Sequence, residues 1–178
     1  TTRRWNWKFK DVNDLEKYTL FWFRRDLRIE DNHGLFQALQ GKNKVLPIFI
    51  FDPVILDRLP KQDARVEFIL LALGAIDVAM KRNRCNAGIY HGTPKAIFQK
   101  LIEKGTIEKV VCNEDYEPYA SERDATIKKF LAENGVGFES YKDQVIFGKD
   151  EVTKDDGTPY KVYTPYSRKW LSHFEENP

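Results

Sequence analysis

The sequence predicts an α/β fold: a doubly wound, five-stranded parallel sheet in the order 3-2-1-4-5, Rossmann-like, with helices on both faces. Three observations carry this. Short apolar runs alternate with amphipathic segments in a repeating βαβ rhythm. The second run, 44–51, is continuously apolar, as a strand covered on both faces is. The charged residues gather where the runs end, as they do when strands open into a ligand crevice.

Residues 18–23 (YTLFWF) form the first strand, which ends abruptly against Arg24, Arg25, Asp26, Arg28, Asp31 and Asn32. Residues 44–51 (KVLPIFIF) form the second, stopped by Asp52-Pro53 because proline cannot extend the ladder. Residues 63–83 repeat Val66, Ile69, Leu70, Leu73, Ile76 and Met80 at helical spacing, which predicts a long amphipathic helix. Residues 87–90 give a short third strand. Thr93-Pro94 then signals a helix start, an N-cap followed by proline in the first turn, with Ile97, Phe98, Leu101 and Ile102 turned inward. Residues 109–113 (KVVCN) are the fourth strand. Ser121 is expected to cap a helix with Ile127, Phe130 and Leu131 on its inner face, and Asn134-Gly135 to stop it. Residues 137–141 complete the sheet. Beyond them 145–147 reads as extended, Asp155-Asp156-Gly157 as a hairpin turn and 164–174 as a terminal helix.

At 178 residues the chain can bury a core without disulfides or metal. Apolar residues make up 42% and aromatics 13%, a globular composition. Lysine plus arginine (29) barely exceeds aspartate plus glutamate (27), so net charge gives no general affinity for nucleic acid or membranes. Cys85 and Cys112 are neither closely spaced nor set beside a histidine; they read as reduced thiols of a cytoplasmic protein, and no zinc site is expected. No apolar run approaches the roughly 20 residues that span a bilayer. Residues 1–17 carry Arg3, Arg4, Trp5, Trp7 and Lys8 without the apolar core of a secretory signal. They read as a terminal arm, loose or packed through its tryptophans, with nucleic-acid contact as the alternative.

In the order 3-2-1-4-5 the sheet reverses between strands 1 and 4, and ligands bind beyond the carboxyl ends at such a reversal. The two ends are Arg24-Arg25-Asp26 and Asn113-Glu114-Asp115-Tyr116-Glu117. Neither G-x-G-x-x-G nor a Walker lysine loop is present, which disfavours nicotinamide dehydrogenases and P-loop NTPases; G-x-S-x-G is absent too. Each charged cluster has two uses. Arg24 and Arg28 can pair structurally with Asp26 and Asp31, whereas Arg25 is read toward a ligand. Phe49 and Asp52 close the second strand beside the crevice, either flanking a planar ligand or serving the core. Asp115 and Glu117, one residue apart in an extended segment, project to one side. They can accept hydrogen bonds from a heterocycle or simply face solvent. Lys61 and Arg65, at the start of the long helix, can reach an anionic tail or pair locally.

WFRRDLR…DN at 22–32, FDP at 51–53, ARVEF at 64–68, NEDYEPY…ERD at 113–124 and DGTPYKVYTPY…W at 156–170 resemble, in order and spacing, the amino-terminal α/β domain of class I DNA photolyases, within the photolyase and cryptochrome family. The resemblance implies a light-harvesting antenna domain (residues 18–148) preceded by the 1–17 arm. A hairpin and the start of a linker (149–178) would follow, leading to a helical domain beyond this sequence. In the family that helical domain binds FAD, docks on damaged DNA and splits pyrimidine dimers with light. This chain alone would be inactive, with no catalytic residue of its own. A cryptochrome photosensor is the alternative, and a general nucleotide-binding module a third. Deazaflavin-binding members use an arginine after strand 1, an aromatic ending strand 2 and Asp-x-Glu after strand 4. Arg25, Phe49 and Asp115-Tyr116-Glu117 match, and Asp52 and Arg65 join the expected site. Folate-binding members place Asn-Glu where this chain has Tyr119-Ala120. The resemblance therefore favours 8-hydroxy-deazaflavin or FMN over methenyl-tetrahydrofolate. Lys149, Lys154, Lys161, Arg168 and Lys169 can lie near a DNA phosphate track or be merely solvated.

Overall fold

The computed structural model describes residues 17–82, 85–148 and 150–176. The terminal arm, apart from residue 17, lies outside them. The chain divides into two compact units, one ending at Asp143 and one beginning at Gln144.

The first unit contains β1 (Tyr18–Phe23), α1 (His33–Leu39), β2 (Lys44–Phe51), α2 (Pro53–Leu56), α3 (Ala64–Arg82), β3 (Gly88–His91), α4 (Pro94–Lys104), β4 (Ile107–Asn113), α5 (Pro118–Glu133) and β5 (Gly137–Tyr141). The strands form one sheet in the order β3-β2-β1-β4-β5, and every pairing is parallel. This is the fold class the sequence predicts.

All six residues of β1 are buried, because both sheet faces are covered. Alternate side chains feed opposite cores. Leu20 and Trp22 join Ile97, Phe98 and Leu101 of α4 and Ile127 and Leu131 of α5. Phe21 and Phe23 join Leu35 and Ala38 of α1 and Leu73, Ile76 and Met80 of α3. Each fully buried ring or branched chain contributes roughly 1.5–3 kcal/mol of transfer free energy, so the central strand is the best anchored element.

Several elements depart from the sequence reading. The seven-residue α1 is an addition: Asn32 caps it, its side-chain oxygen accepting from the Leu35 N–H. The short α2 follows directly on β2, with Asp52 capping through the Val54 N–H and Pro53 in its first turn. α5 starts a turn before Ser121, at Pro118, and the Ser121 N–H is already bonded to the Glu117 carbonyl. On α3, Leu70 is exposed together with Phe68, Leu71 and Val78, because the helix is apolar on more of its circumference than the sheet can cover.

The second unit contains α6 (Tyr163–Glu176). Its aromatic side chains cluster: Trp170 stacks on Phe174 and meets Phe147 edge-on, with ring centroids 5.4 and 5.3 Å apart. Residues 145–147 form no strand. The turn at Gly157 exists, with φ +75° and the Thr158 N–H bonded to Asp156 Oδ1, but no strands flank it and it closes no hairpin. Among the described residues no helix is long and apolar enough to cross a membrane.

Candidate functional site

β1 pairs with β2 on one side and β4 on the other, so the sheet reverses at β1 and the ends of β1 and β4 lie side by side. A buried polar network joins them. Asn113, the last residue of β4, donates to Asp26 Oδ2 at 2.6 Å and Asn32 Oδ1 at 2.9 Å. Its own Oδ1 accepts from the Gly34 N–H at 2.7 Å. Asp26 Oδ1 accepts from the Arg24 N–H at 2.8 Å, and Asn32 Nδ2 donates to Asp26 and to the Arg28 carbonyl. Asp26, Asn32 and Asn113 are all buried. A Cβ at position 34 would fall 2.5 Å from Asn113 Oδ1, so this approach requires glycine.

Outside this network lies a cleft of about 330 Å³, within the range of small-molecule sites. Phe49, Leu56 and Ile69 give it apolar surface; Arg25, Asp115 and Glu117 bring charge from the ends of β1 and β4. Arg25 Nη1 lies 2.5 Å from Glu117 Oε1 and 3.8 Å from Asp115 Oδ1, which draws both carboxylates to one side. The Asp115 side chain is 10% exposed, whereas those of Arg25 and Glu117 are 55% and 61% exposed and free to rearrange. Phe49 is buried and meets Phe51 edge-on at 4.9 Å.

Asp52 is buried, with both oxygens engaged: Oδ1 by the Val54 N–H at 3.0 Å and Oδ2 by the Tyr119 hydroxyl at 2.5 Å. Arg65 lines the cleft but is held by Asp63 through three hydrogen bonds, which lower the Asp63 carboxyl to about 2. Lys61 is exposed and is not among the lining residues. Arg24 pairs with Asp124 on α5, and Arg28 with Asp143 at 2.8 Å. Asp26 and Asp31 instead serve backbone and network roles: Asp26 accepts the Arg24 N–H, and the Asp31 carbonyl accepts from Arg28 Nη2 at 2.5 Å.

Trp22, Tyr119 and Arg123 line the cleft without having been expected there. Tyr119 and Arg123 sit four residues apart on α5, on one helix face, and a helix started at Pro118 would have exposed that spacing.

Burial first, then the hydrogen bond to Asp52 and its negative charge, push the Tyr119 phenol up to about 12. Because the folded value is raised, the linked stability is complete below pH ~10 and disappears as pH climbs to ~12. Tyr119→Phe orphans Asp52 Oδ2 and is expected to cost about 1–3 kcal/mol. Urea unfolding at pH 7 checks the cost, and ultraviolet titration of parent against variant checks the late phenol.

Comparisons with known proteins converge. A sequence model of the family described as DNA photolyase matches residues 19–178. A deoxyribodipyrimidine photo-lyase from Synechococcus sp. is 30% identical over 159 residues, covering 89% of this chain and 33% of that protein. Cryptochrome-2 of Arabidopsis thaliana is 31% identical over 159 residues, covering 88% and 26%. Among solved structures, an archaeal photolyase from Sulfolobus tokodaii with two FAD molecules superposes with a TM-score of 0.72 at 29% identity, over 85% of this chain and 34% of that one. The chain thus spans about a third of the length of the photolyases it matches.

Proposed function

The chain belongs to the DNA photolyase family, and on that premise we propose that it is the light-harvesting antenna domain of a deoxyribodipyrimidine photolyase. The carrying observation is the cleft at the sheet's reversal, where an apolar wall meets Arg25, Asp115 and Glu117. That donor set fits a flat heterocycle. Phe49, Leu56 and Ile69 would contact its apolar face, and the two carboxylates would accept from its N–H and hydroxyl edge. Arg25 would hold an acceptor edge through its planar fork. When bound, such a chromophore supplies absorption of light and emission matched to a flavin acceptor. The protein's part is to orient it and exclude water. Arg65 lines the cleft and, on leaving Asp63, would meet a ribityl or phosphate tail.

An 8-hydroxy-deazaflavin or FMN fits better than methenyl-tetrahydrofolate. Tyr119 is committed to Asp52 and Ala120 is buried, so neither supplies the polar groups that folate-binding relatives have there. The second FAD of the Sulfolobus protein is consistent with a flavin-class antenna in this branch. We assign FAD binding, docking on damaged DNA and dimer cleavage to a helical domain of the full-length protein, with residues 149–178 leading toward it. A cytoplasmic location accords with the free thiols Cys85 and Cys112. A photosensory role is the second reading, favoured by the identity to a plant cryptochrome.

Titration with 8-hydroxy-deazaflavin, FMN and methenyl-tetrahydrofolate, followed by absorbance and fluorescence, tests the reading. Saturable binding of a deazaflavin or FMN, tighter than folate, is expected. Preferential folate binding would overturn the chromophore choice, and no binding of any of the three would overturn the antenna role.

A further inference from the structure

Trp22 has two arginines over its ring. The guanidinium carbons of Arg24 and Arg123 lie 5.3 and 4.8 Å from the ring, within the range of cation–π attraction. Asp124 fastens both: it pairs with Arg24 and accepts from Arg123 Nε and Nη2 at 3.0 and 2.9 Å. The side chains of Arg24 and Arg123 are 6% and 9% exposed, so water screens them poorly. Asp124 is the one carboxylate in direct contact with both guanidiniums, so two cations share a single ion-pair partner beside the indole. Phe98 meets Trp22 edge-on at 5.2 Å, and Trp22, though buried, reaches the cleft wall.

An indole is the natural side chain most readily oxidised by a photoexcited flavin-type ring. One at the wall of an antenna site would quench the excitation before it could be passed on. We infer that Arg24 and Arg123 suppress electron transfer from Trp22 to an excited chromophore in the cleft, protecting its excited state. The inference rests on the antenna reading. Both cations disfavour removal of an electron from the adjacent ring by direct electrostatics. A guanidinium keeps its charge at neutral pH even when buried, and Asp124 pairs with Arg24 directly, so Arg24 stays ionised. Without the cations, one electron would pass from the indole to the excited ring and then return. Both partners would regain their ground states, with the excitation lost as heat and no other reactant consumed.

The test compares the parent with Arg123→Met, Arg123→Lys, Trp22→Phe and the Arg123→Met/Trp22→Phe pair. Each is saturated with FMN and its fluorescence lifetime measured after circular dichroism shows the fold. Arg123→Met is expected to shorten the lifetime severalfold, Arg123→Lys to stay near the parent, and the double variant to recover it. An unchanged lifetime in Arg123→Met, or a shortening that survives removal of Trp22, overturns the inference. Should FMN fail to bind the parent, the antenna reading is what fails. The shielding is then read in the ligand-free protein by pulse radiolysis, with Trp5, Trp7 and Trp170 changed to Phe so that Trp22 alone reports. A lower indole reduction potential in Arg123→Met upholds it, and equal potentials overturn it.

Discussion

Asn113→Ala is expected to destabilise the α/β unit by about 2–5 kcal/mol, because it strips hydrogen bonds from a buried carboxylate oxygen and a buried backbone N–H at about 1–3 kcal/mol each. One amide satisfies Asp26, Asn32 and the Gly34 N–H together, and all sit where water enters poorly. The amide therefore ties the ends of β1 and β4 to the first turn of α1. Urea unfolding should show a lower midpoint with little change in slope, because the surface exposed on unfolding is unaltered. A loss below about 1 kcal/mol would mean that water replaces the amide. Gly34→Ala supplies an independent check. Its added carbon would meet Asn113 Oδ1 at 2.5 Å, so the substitution should be costly in the parent and much less so in Asn113→Ala.

The second large effect concerns ligand affinity. Asp115→Ala/Glu117→Ala is expected to weaken deazaflavin or FMN binding by roughly 10²–10⁴-fold, from about 1.5–3 kcal/mol per lost charged hydrogen bond. The same double variant should remain folded, losing about 1 kcal/mol for the shielded Asp115, whose Oδ1 accepts the Glu117 N–H at 3.2 Å, and little for Glu117. Arg25 and Glu117 are more than half exposed, and surface pairs of this kind contribute only about 0–1 kcal/mol. Loss of binding with retained stability marks the carboxylates as ligand groups; loss of stability with retained binding marks them as structural. Arg25→Lys separates charge from shape, since an ammonium lacks the planar fork. Its affinity should fall while the thermal midpoint holds, as calorimetry on the parent and variant would show.

The centre of the sheet was legible because β1 and most of β4 are buried on both faces. For β1, β2 and β5 the expected and observed bounds coincide; β1 and β2 stand out as apolar runs, whereas the edge strand β5 is only partly buried and carries Glu139 and Ser140. The helices were less so. α1 is short and leaves Phe36 and Leu39 exposed, so its apolar positions mark no single face, and its cap Asn32 doubles as a network residue. The start of α5 was hidden by Ser121, a good cap by composition, although Pro118 was already in place as a first-turn proline. At the site, the charged strand ends stood out because charges seldom follow a buried strand without a purpose. What sequence could not supply was convergence. Trp22 from β1, Asp52 from the end of β2, and Tyr119 and Arg123 from α5 meet only once the helix phase is fixed. Asp52 illustrates this: it lines the cleft while its oxygens also accept from the Val54 N–H and the Tyr119 hydroxyl, a pairing that no spacing in the sequence announces.

The most direct test is to map amide shifts of the ¹⁵N-labelled protein during titration with 8-hydroxy-deazaflavin or FMN. Changes should concentrate at Arg25, Phe49, Asp115 and Glu117, with saturation at one common affinity. Changes centred instead on the groove beside β3, at Leu70, Leu73 and Tyr90, with Arg25 and Asp115 silent, would contradict a chromophore site at the reversal of the sheet.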